Sequence, residues 1–501
     1  MLYTSDETAL TRRLQKLTSI LDVTKAMSAE RDLDLLLPLI LFEASKVVEA
    51  DRCSLFILDR ERNELWSKVA QGAKKEIRLP VGSGIAGQVA ATGTTINIPD
   101  AYADDRFNRS FDVSSGYRTQ TILCVPMRDA TGEVTGVIQA LNKRGGRIFD
   151  AEDEELLLAL GAQAAGAIEN ALLHEEINRL FEGFVSASVV AIEARDPTTA
   201  GHSGRVADLT VGLAHALEFV STGSYAMTRF TPVEIQELRY ASLLHDFGKV
   251  GVREPVLVKA EKLYPHEMEM LRARFQIARK DLQLQSYKRR LAAVKVRGDK
   301  AMAEIDGEED ARLVEELKHL DEVFEFVLTC NRPTVLAQGG FERLSEMRKL
   351  TFTDARDQQQ PLLLENEIRS LSIARGTLSP EERKEIESHV EHTYRFLTQI
   401  PWTRTLRRVP EIAYAHHEKL DGTGYPRAIP SKTIPVQSKM MAISDIYDAL
   451  TASDRPYKKA VPYTLALDIL KKEASAGQLD SELLTVFIEA EVPKKALGSV
   501  K

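Results

Sequence analysis

Cysteine is scarce in this 501-residue chain: Cys53, Cys124 and Cys330 lie far apart and form no CxxC pair. That excludes a disulfide framework and a thiolate zinc site, and it fits free thiols in a reducing compartment. Long apolar runs are missing too, none approaching the ~20 residues that cross a bilayer. The opening MLYTSDETAL lacks the basic segment and apolar core of a secretory leader. The expectation is a cytoplasmic protein with no membrane partner. Nor is positive charge in excess. A formal net charge of -8 gives no general attraction for DNA, so a small anionic ligand needs local cations or metal ions. No serine or cysteine stands in a convincing nucleophilic triad.

What is present is the balance of a folded protein, 44% hydrophobic and 28% charged. The length exceeds one ordinary core and predicts two or three domains. Residues 1–33 open as a helix whose Leu10, Leu14, Leu17 and Leu21 step by 4, 3 and 4. That stripe serves equally as a homodimer seam or as a face packed on its own domain. Over 34–175 the pattern is mixed. A helix over Leu35–Val48 precedes strand-like CSLFIL (53–58), TILCVPM (121–127) and VTGVIQALN (134–142), and a long helix starts at Asp150. This predicts a compact α/β sensor domain. Leu173, Ile177, Leu180 and Phe184 repeat the 4, 3 and 4 step, so helix continues through 176–192 as a linker. Such a helix either carries a shift between domains or is an inert spacer.

From 187 to 501 nearly everything reads as helix. Residues 264–377 are strongly charged and separate two similar segments, KLYPHEMEMLRAR and TLSPEERKEIESH, as if one helix start were written twice. We read 264–377 as an insertion, a helical hairpin followed by a looser stretch, whose solvated faces need no function.

Histidine carries the chemistry. Ten occur, and five stand in clusters with carboxylates: His202 in TAGHSGRV, His245 in LLHDFGKVG, His389 in IESHVEHTY, and His416 with His417 in YAHHEKLDGTGYP. Asp246 follows His245, and Asp445 lies in AISDIYDALT. A neutral imidazole offers one lone pair and a carboxylate can bridge two cations, so this set is what a two-metal site needs. Nitrogen and oxygen donors without thiolate favour iron or manganese. Any one of these histidines is more often an ordinary hydrogen-bonded residue. An HDxxGK spacing, a tandem HH and a DGxGYP loop in one chain reverse that weighting.

HDFGKVG, HHEKLDGTGYP and SDIYDALTASDRPYKKA resemble the motifs of the HD-GYP family, a branch of the HD phosphohydrolases, over about 187–262 and 376–490. The resemblance implies an all-helical catalytic domain that binds divalent metals and hydrolyses cyclic di-GMP to linear pGpG or on to GMP. Carried over by position, it implies metal ligation by His202, His245, Asp246, His389, His416, His417 and Asp445, with Asp246 bridging. Lys249 would meet the scissile phosphate, making Asp246 and Lys249 the catalytic pair. Gly422, Gly424, Tyr425 and Pro426 would shape the pocket, and Arg455 and Lys458 would reach substrate phosphates or guanine edges. Glu418 and Asp421 read as hydrogen-bonding supports. The implied reaction is metal-assisted attack of water on phosphorus, in line with the departing 3′ oxygen.

Two departures from the family pattern matter. The family expects a histidine about a dozen residues after a K-L-T/S-P segment. The first copy offers Arg274 there and the second His389, with His392 one turn on as runner-up and His266 out of register. Members with three metals carry a glutamate four residues before the first histidine, where Thr198 stands here. Two ions are therefore expected, with Glu193 and Asp196 as outer partners.

Asn142 and Lys143, then Phe149, then Asp153 and Glu154 give N-K-x5-F-x3-D-E. This is similar to the signature of GAF domains that bind cyclic nucleotides in animal phosphodiesterases, and 34–175 as a whole resembles a GAF domain. The resemblance implies cAMP or cGMP as ligand, with Lys143 and Asp153 bracing the pocket instead of touching it. The plainer reading is a pair that holds strand to helix in a domain that binds nothing. GSGIAG (82–87) has dinucleotide-loop spacing but reads as a turn opening a helix. The expectation is a GAF-regulated, homodimeric cyclic di-GMP phosphodiesterase. Open beside it are cyclic GMP-AMP as substrate, a catalytically weak nucleotide-sensing module, and HD-type hydrolysis of another phosphoester.

Overall fold

Strand alternation organises the first half of the chain. Six strands, β1 (Ala50–Asp59), β2 (Glu64–Ser67), β3 (Ile77–Pro80), β4 (Ile96–Ile98), β5 (Ile122–Arg128) and β6 (Val134–Lys143), pair antiparallel in the order β3-β2-β1-β6-β5-β4. Leu123, Val125 and Met127 of β5 join one core with α1 (Leu33–Val47), while Ile122 and Cys124 join a second core with α2 (Gly84–Thr92). Both faces are therefore covered, and the central strands are apolar on both sides. GSGIAG forms the turn into α2, as read. The strands β2, β3 and β4 escaped the sequence reading because three or four residues are too few to display a period of two.

The computed structural model describes residues 24–67, 77–196, 200–333, 340–452 and 460–497. It divides into two compact units, Met1–Gly183 and Phe184–Lys501. The N-terminal leucine stripe, Thr198, Arg455 and Lys458 lie outside the described residues. Helix α3 (Ala151–Arg195) runs unbroken through both the long helix and the linker that the sequence reading joined. Its first turns bury Leu156, Leu157, Leu160, Ala164 and Ile168 in the core with α1, while Leu173, Ile177, Leu180 and Phe184 stand exposed. One correction follows. This helix contains a stretch long and apolar enough to cross a membrane by composition, half of it buried inside the protein as in a core helix. Alanines and glycines raise its apolar character without making a run of large side chains.

The second unit is helical from α4 (His202–Leu217) and α5 (Pro232–Leu244) onward, with a further correction. Within 264–377, β7 (Thr351–Thr353) and β8 (Gln359–Pro361) form a small hairpin that the sequence reading left as a loose stretch. The duplicated segment is duplicated in structure. Glu267 and Glu382 each reach back to the N–H of the residue before a proline, opening α6 (Pro265–Arg297) and α8 (Pro380–Glu387) in the same way. Helices α6 and α7 (Met302–Asn331) share a core of Leu271, Phe275, Val323, Val327, Leu344, Phe352 and Leu371. The second copy leads instead into α9 (His389–Leu397), followed by α10 (Val409–Tyr414) and α11 (Val436–Thr451).

Candidate metal centre

Five separated pieces of chain converge here. His202 opens α4, His245 and Asp246 follow α5, His389 opens α9, His416 and His417 follow α10, and Asp445 lies within α11. Gly248 sets the distance between two of them. A Cβ on Gly248 would overlap the backbone of His389 and Thr393, so only glycine lets the turn after α5 meet α9 backbone to backbone. Its N–H donates to Thr393 Oγ1 at 2.8 Å, and that hydroxyl donates to His245 O at 2.9 Å. Phe247 stacks on Phe396 with centroids 3.6 Å apart, closing the same seam. This interlock brings His389 against Asp246.

Three histidines are held alike. Nδ1 of His245 donates to Ser242 O (2.6 Å), that of His389 to Ile386 O (2.5 Å) and that of His416 to Ala413 O (2.6 Å). A carbonyl only accepts, so each ring carries its proton on Nδ1 and presents a bare Nε2. All three Nε2 atoms are buried without a hydrogen-bond partner. Each orphaned polar atom costs about 1–3 kcal/mol, and cations at this point would remove the cost. Burial also holds His245 below the ordinary histidine range and His416 well below it, and it pushes His417 down to about 3, so these rings are neutral.

The donor atoms group into three overlapping sets within 4.8 Å: His202, His245 and Asp445; His245, Asp246 and His416; His389, His416 and His417. Asp246 lies between, with Oδ1 3.3 Å from His389 Nε2 and Oδ2 3.5 Å from His245 Nε2. Its two oxygens thus face histidines of two different donor sets. Burial would raise its pKa, but Lys249 and the surrounding histidines hold it well below the carboxylate range. Lys249 Nζ sits 2.8 Å from Asp246 and 3.7 Å from Asp196. Burial disfavours its charge, and those two carboxylates more than restore it.

His202 differs from the other three, and the reason is a residue the sequence reading missed. Its Nδ1 donates to Asp448 Oδ2 at 2.7 Å, while its Nε2 lies 3.2 Å from Asp445. Arg205 grips the same carboxylate, Nε to Oδ1 at 2.6 Å and Nη2 to Oδ2 at 3.1 Å. Burial would lower the His202 pKa, but the bonds to Asp445 and Asp448 outweigh it and push it up to about 9. The Asp445-Ile-Tyr-Asp448 spacing, one helical turn on one face, was the available signal.

Around the cluster, Tyr425 stacks near His417 with centroids 4.7 Å apart, and the Tyr425–Pro426 peptide is cis. Gly422 holds a φ of +76°, and a Cβ on Gly424 would collide with Glu418 and Lys419. Glu418 accepts from the N–H groups of Arg427 and Ile429, and Asp421 from Thr423, the supporting roles expected of them. His392 packs on Gly251 and joins none of the donor sets, Arg274 pairs with Glu367, and His266 stacks on Tyr264. Glu193 has a buried carboxylate oxygen without a partner.

In the other unit Lys143 Nζ lies 2.6 Å from Asp153 Oδ1, both side chains buried. Asn142, at a φ of +56°, accepts from Gln120 N–H and donates to Tyr117 and Arg118. Phe149 is buried, its carbonyl accepting from Asn97, and Glu154 gives its N–H to Asp150. These contacts tie β6 to the start of α3, which is a brace.

Comparison with known families assigns a GAF domain to residues 32–168 and an HD domain to residues 362–483. The chain carries a GAF domain and an HD domain. The HD match contains His389, His416, His417 and Asp445, whereas His202, His245 and Asp246 lie upstream of it. Similar proteins include the dual 3′,5′-cyclic-AMP and -GMP phosphodiesterase 11A of Takifugu rubripes, 40% identical over 166 residues, 30% of this chain and 18% of that protein. Another is the probable 3′,5′-cyclic phosphodiesterase pde-5 of Caenorhabditis elegans, 38% identical over 149 residues, 27% of this chain and 20% of that protein. The chain thus spans a fifth or less of these relatives. Among solved structures, the GAF domain of a Coxiella burnetii phosphoenolpyruvate-protein phosphotransferase aligns over 32% of this chain and 98% of its own, at 24% identity and a TM-score of 0.30.

Proposed function

We propose that this chain is a metal-dependent phosphodiesterase whose HD half hydrolyses a cyclic dinucleotide, cyclic di-GMP first, under control of its GAF half. The observation that carries this reading is the trio of buried, partnerless imidazole nitrogens converging on Asp246 beside Lys249. His202, His245 and Asp445 would hold one ion and His389, His416 and His417 the other, with Asp246 between, and the donor set favours iron or manganese. A divalent pair so bound would supply charge at the phosphoryl oxygens and a water acidic enough to react near neutral pH.

The chain's own groups do the rest. Lys249 keeps a positive charge beside Asp246, where a phosphate would sit. The Tyr425 hydroxyl stays protonated, raised first by burial and then by Asp445 and Asp246, so it can donate to a ligand oxygen. Gly424 lets that loop lie flat on Glu418. The HD-GYP resemblance of the loop is the support for a cyclic dinucleotide. A second reading, hydrolysis of cAMP or cGMP by the HD half, draws on the names of the relatives. Their shared stretch has the length of one domain, however, and a cyclic mononucleotide acting on the GAF half as regulator requires no such activity of the HD half.

The test incubates metal-loaded protein with cyclic di-GMP, cyclic GMP-AMP, cAMP and cGMP and separates the products. Linear pGpG or GMP from cyclic di-GMP is expected, with both metal and turnover lost in Asp246→Ala. Turnover of mononucleotides alone favours the second reading. Metal binding without turnover of any leaves a sensing module, and a protein that takes up no metal refutes the centre.

A further inference from the structure

Helix α6 has two apolar faces. Met268, Leu271, Phe275 and Ala278 turn inward to the insertion's own core. On the other side Met270, Ile277, Leu284 and Leu291 recur every seven residues and are 62%, 45%, 50% and 65% exposed. Between them Ala273, Lys280, Tyr287 and Val294 complete the a and d positions of a heptad with one polar break, and Tyr287 is 64% exposed. A seven-residue interval keeps one line of side chains facing a partner helix. A helix that merely faces water has no use for it, and exposed contiguous apolar patches beyond a few hundred Å² mark interaction sites.

We propose that this face is an interface with a second copy of the chain, α6 pairing antiparallel with its counterpart. Three observations select that occupant. The first is extent. Met270 to Leu291 spans roughly 30 Å of helix, and covering these five large side chains would remove on the order of 500 Å² from each copy, approaching with the flanks the ~800 Å² per partner of a specific interface. The second is the polar break. Parallel pairing would stack Lys280 on Lys280 of the second copy in one layer. Antiparallel pairing sets Met270 against Val294, Ile277 against Tyr287 and Leu291 against Ala273, and it separates the two lysines, placing each against Leu284 of the other copy, while Asp281 stays bonded to Thr353 N–H within its own chain. The third is that the flanking cations are tied back within the insertion. Arg274 pairs with Glu367, Arg279 with Asp321, Arg289 with Glu309 and Arg290 with Asp310, so no ion pair crosses the apolar line. This inference stands apart from the phosphodiesterase reading.

The experiment is sedimentation equilibrium of the full chain, wild type against the double variant Ile277→Glu/Leu284→Glu. Both positions face solvent, so far-UV circular dichroism should be unchanged. Wild type is expected to dimerise at micromolar concentration, and the double variant to need at least ten-fold more protein. A wild type monomeric at about 100 μM, roughly −5.5 kcal/mol of association, would overturn the proposal and leave the stripe to a helix of another protein. A dimer whose affinity is the same in the double variant would overturn it by placing the contact elsewhere.

Discussion

Replacing Asp448 with asparagine removes one charge and almost no volume. In the structure that carboxylate receives His202 Nδ1 at 2.7 Å and both Arg205 contacts, at 2.6 and 3.1 Å. The amide oxygen still accepts from the ring, so His202 keeps its place but loses a charge-assisted bond and the polarisation it gives the opposite nitrogen. Outer partners of this kind change metal affinity about 10–100-fold, or about 1.4–2.7 kcal/mol. Only one of two ions should feel it, because His202 groups with His245 and Asp445, whereas His389, His416 and His417 form a separate set. Proton competition at His202 opposes part of the loss at neutral pH, so the deficit should grow as the titration is moved towards alkaline pH. The assay is manganese titration against a competing chelator, resolving two equivalents per chain. One equivalent should weaken by the stated factor and the other by less than two-fold. Two unchanged affinities, or two affinities weakened alike, would refute the argument that Asp448 acts through His202.

Gly248→Ala forces the turn after α5 away from the backbone of α9, and overpacking of this kind costs about 1–3 kcal/mol. A lower melting temperature with reduced metal content is expected, and wild-type values in both would contradict the interlock. Lys143→Met strands the buried Asp153 carboxylate, which should cost the GAF unit about 3–5 kcal/mol by urea unfolding. Adding Asp153→Leu should recover much of that, and no recovery would mean the pair is not the unit of stability. Stripping metal with a chelator should lower the melting temperature, and restoring manganese at a hundred times Kd should return about 2.7 kcal/mol. A melt indifferent to manganese would argue against a preformed centre.

The residues with the narrowest chemical job were the most legible. His245, Asp246, His389, His416, His417 and Asp445 could be picked out because clustered histidines and aspartates are rare in a chain with ten histidines, and the fold brings them within a few ångströms. Asp448 was hidden because a carboxylate one turn behind Asp445 looks like any polar residue on a helix, and its work is done through another ring. The choice of His389 over Arg274 rested on the histidine that the HD-GYP resemblance implies after such a helix start, and both starts are built with the same backward-reaching glutamate. The short strands were invisible for a different reason. Three-residue strands such as Thr351–Thr353 are specified by their partner across the hairpin, a long-range fact that local pattern does not contain.

That residues 264–377 can stand between two parts of the cluster without scattering it follows from how the ends of that segment are fastened. Lys259 Nζ lies 2.8 Å from both oxygens of Glu382, Tyr264 donates its hydroxyl to the same carboxylate at 2.5 Å, and Thr377 donates to Lys259 O at 3.0 Å. Lys262 is fully buried and donates to Leu371 O at 3.1 Å. The exit of the insertion is thereby clamped to its entrance, with a hydrophobic core of its own beyond the clamp. Closing a loop costs entropy that rises only logarithmically with its length, so once the ends meet, the size of what lies between them matters little. Glu385, in the helix leading to His389, is in turn bonded to Arg253, on the strand of chain leading from Asp246, at 2.8 Å through Nε. The register of His389 against Asp246 is therefore set by contacts on the near side of the clamp, and the insertion is free to acquire a surface of its own.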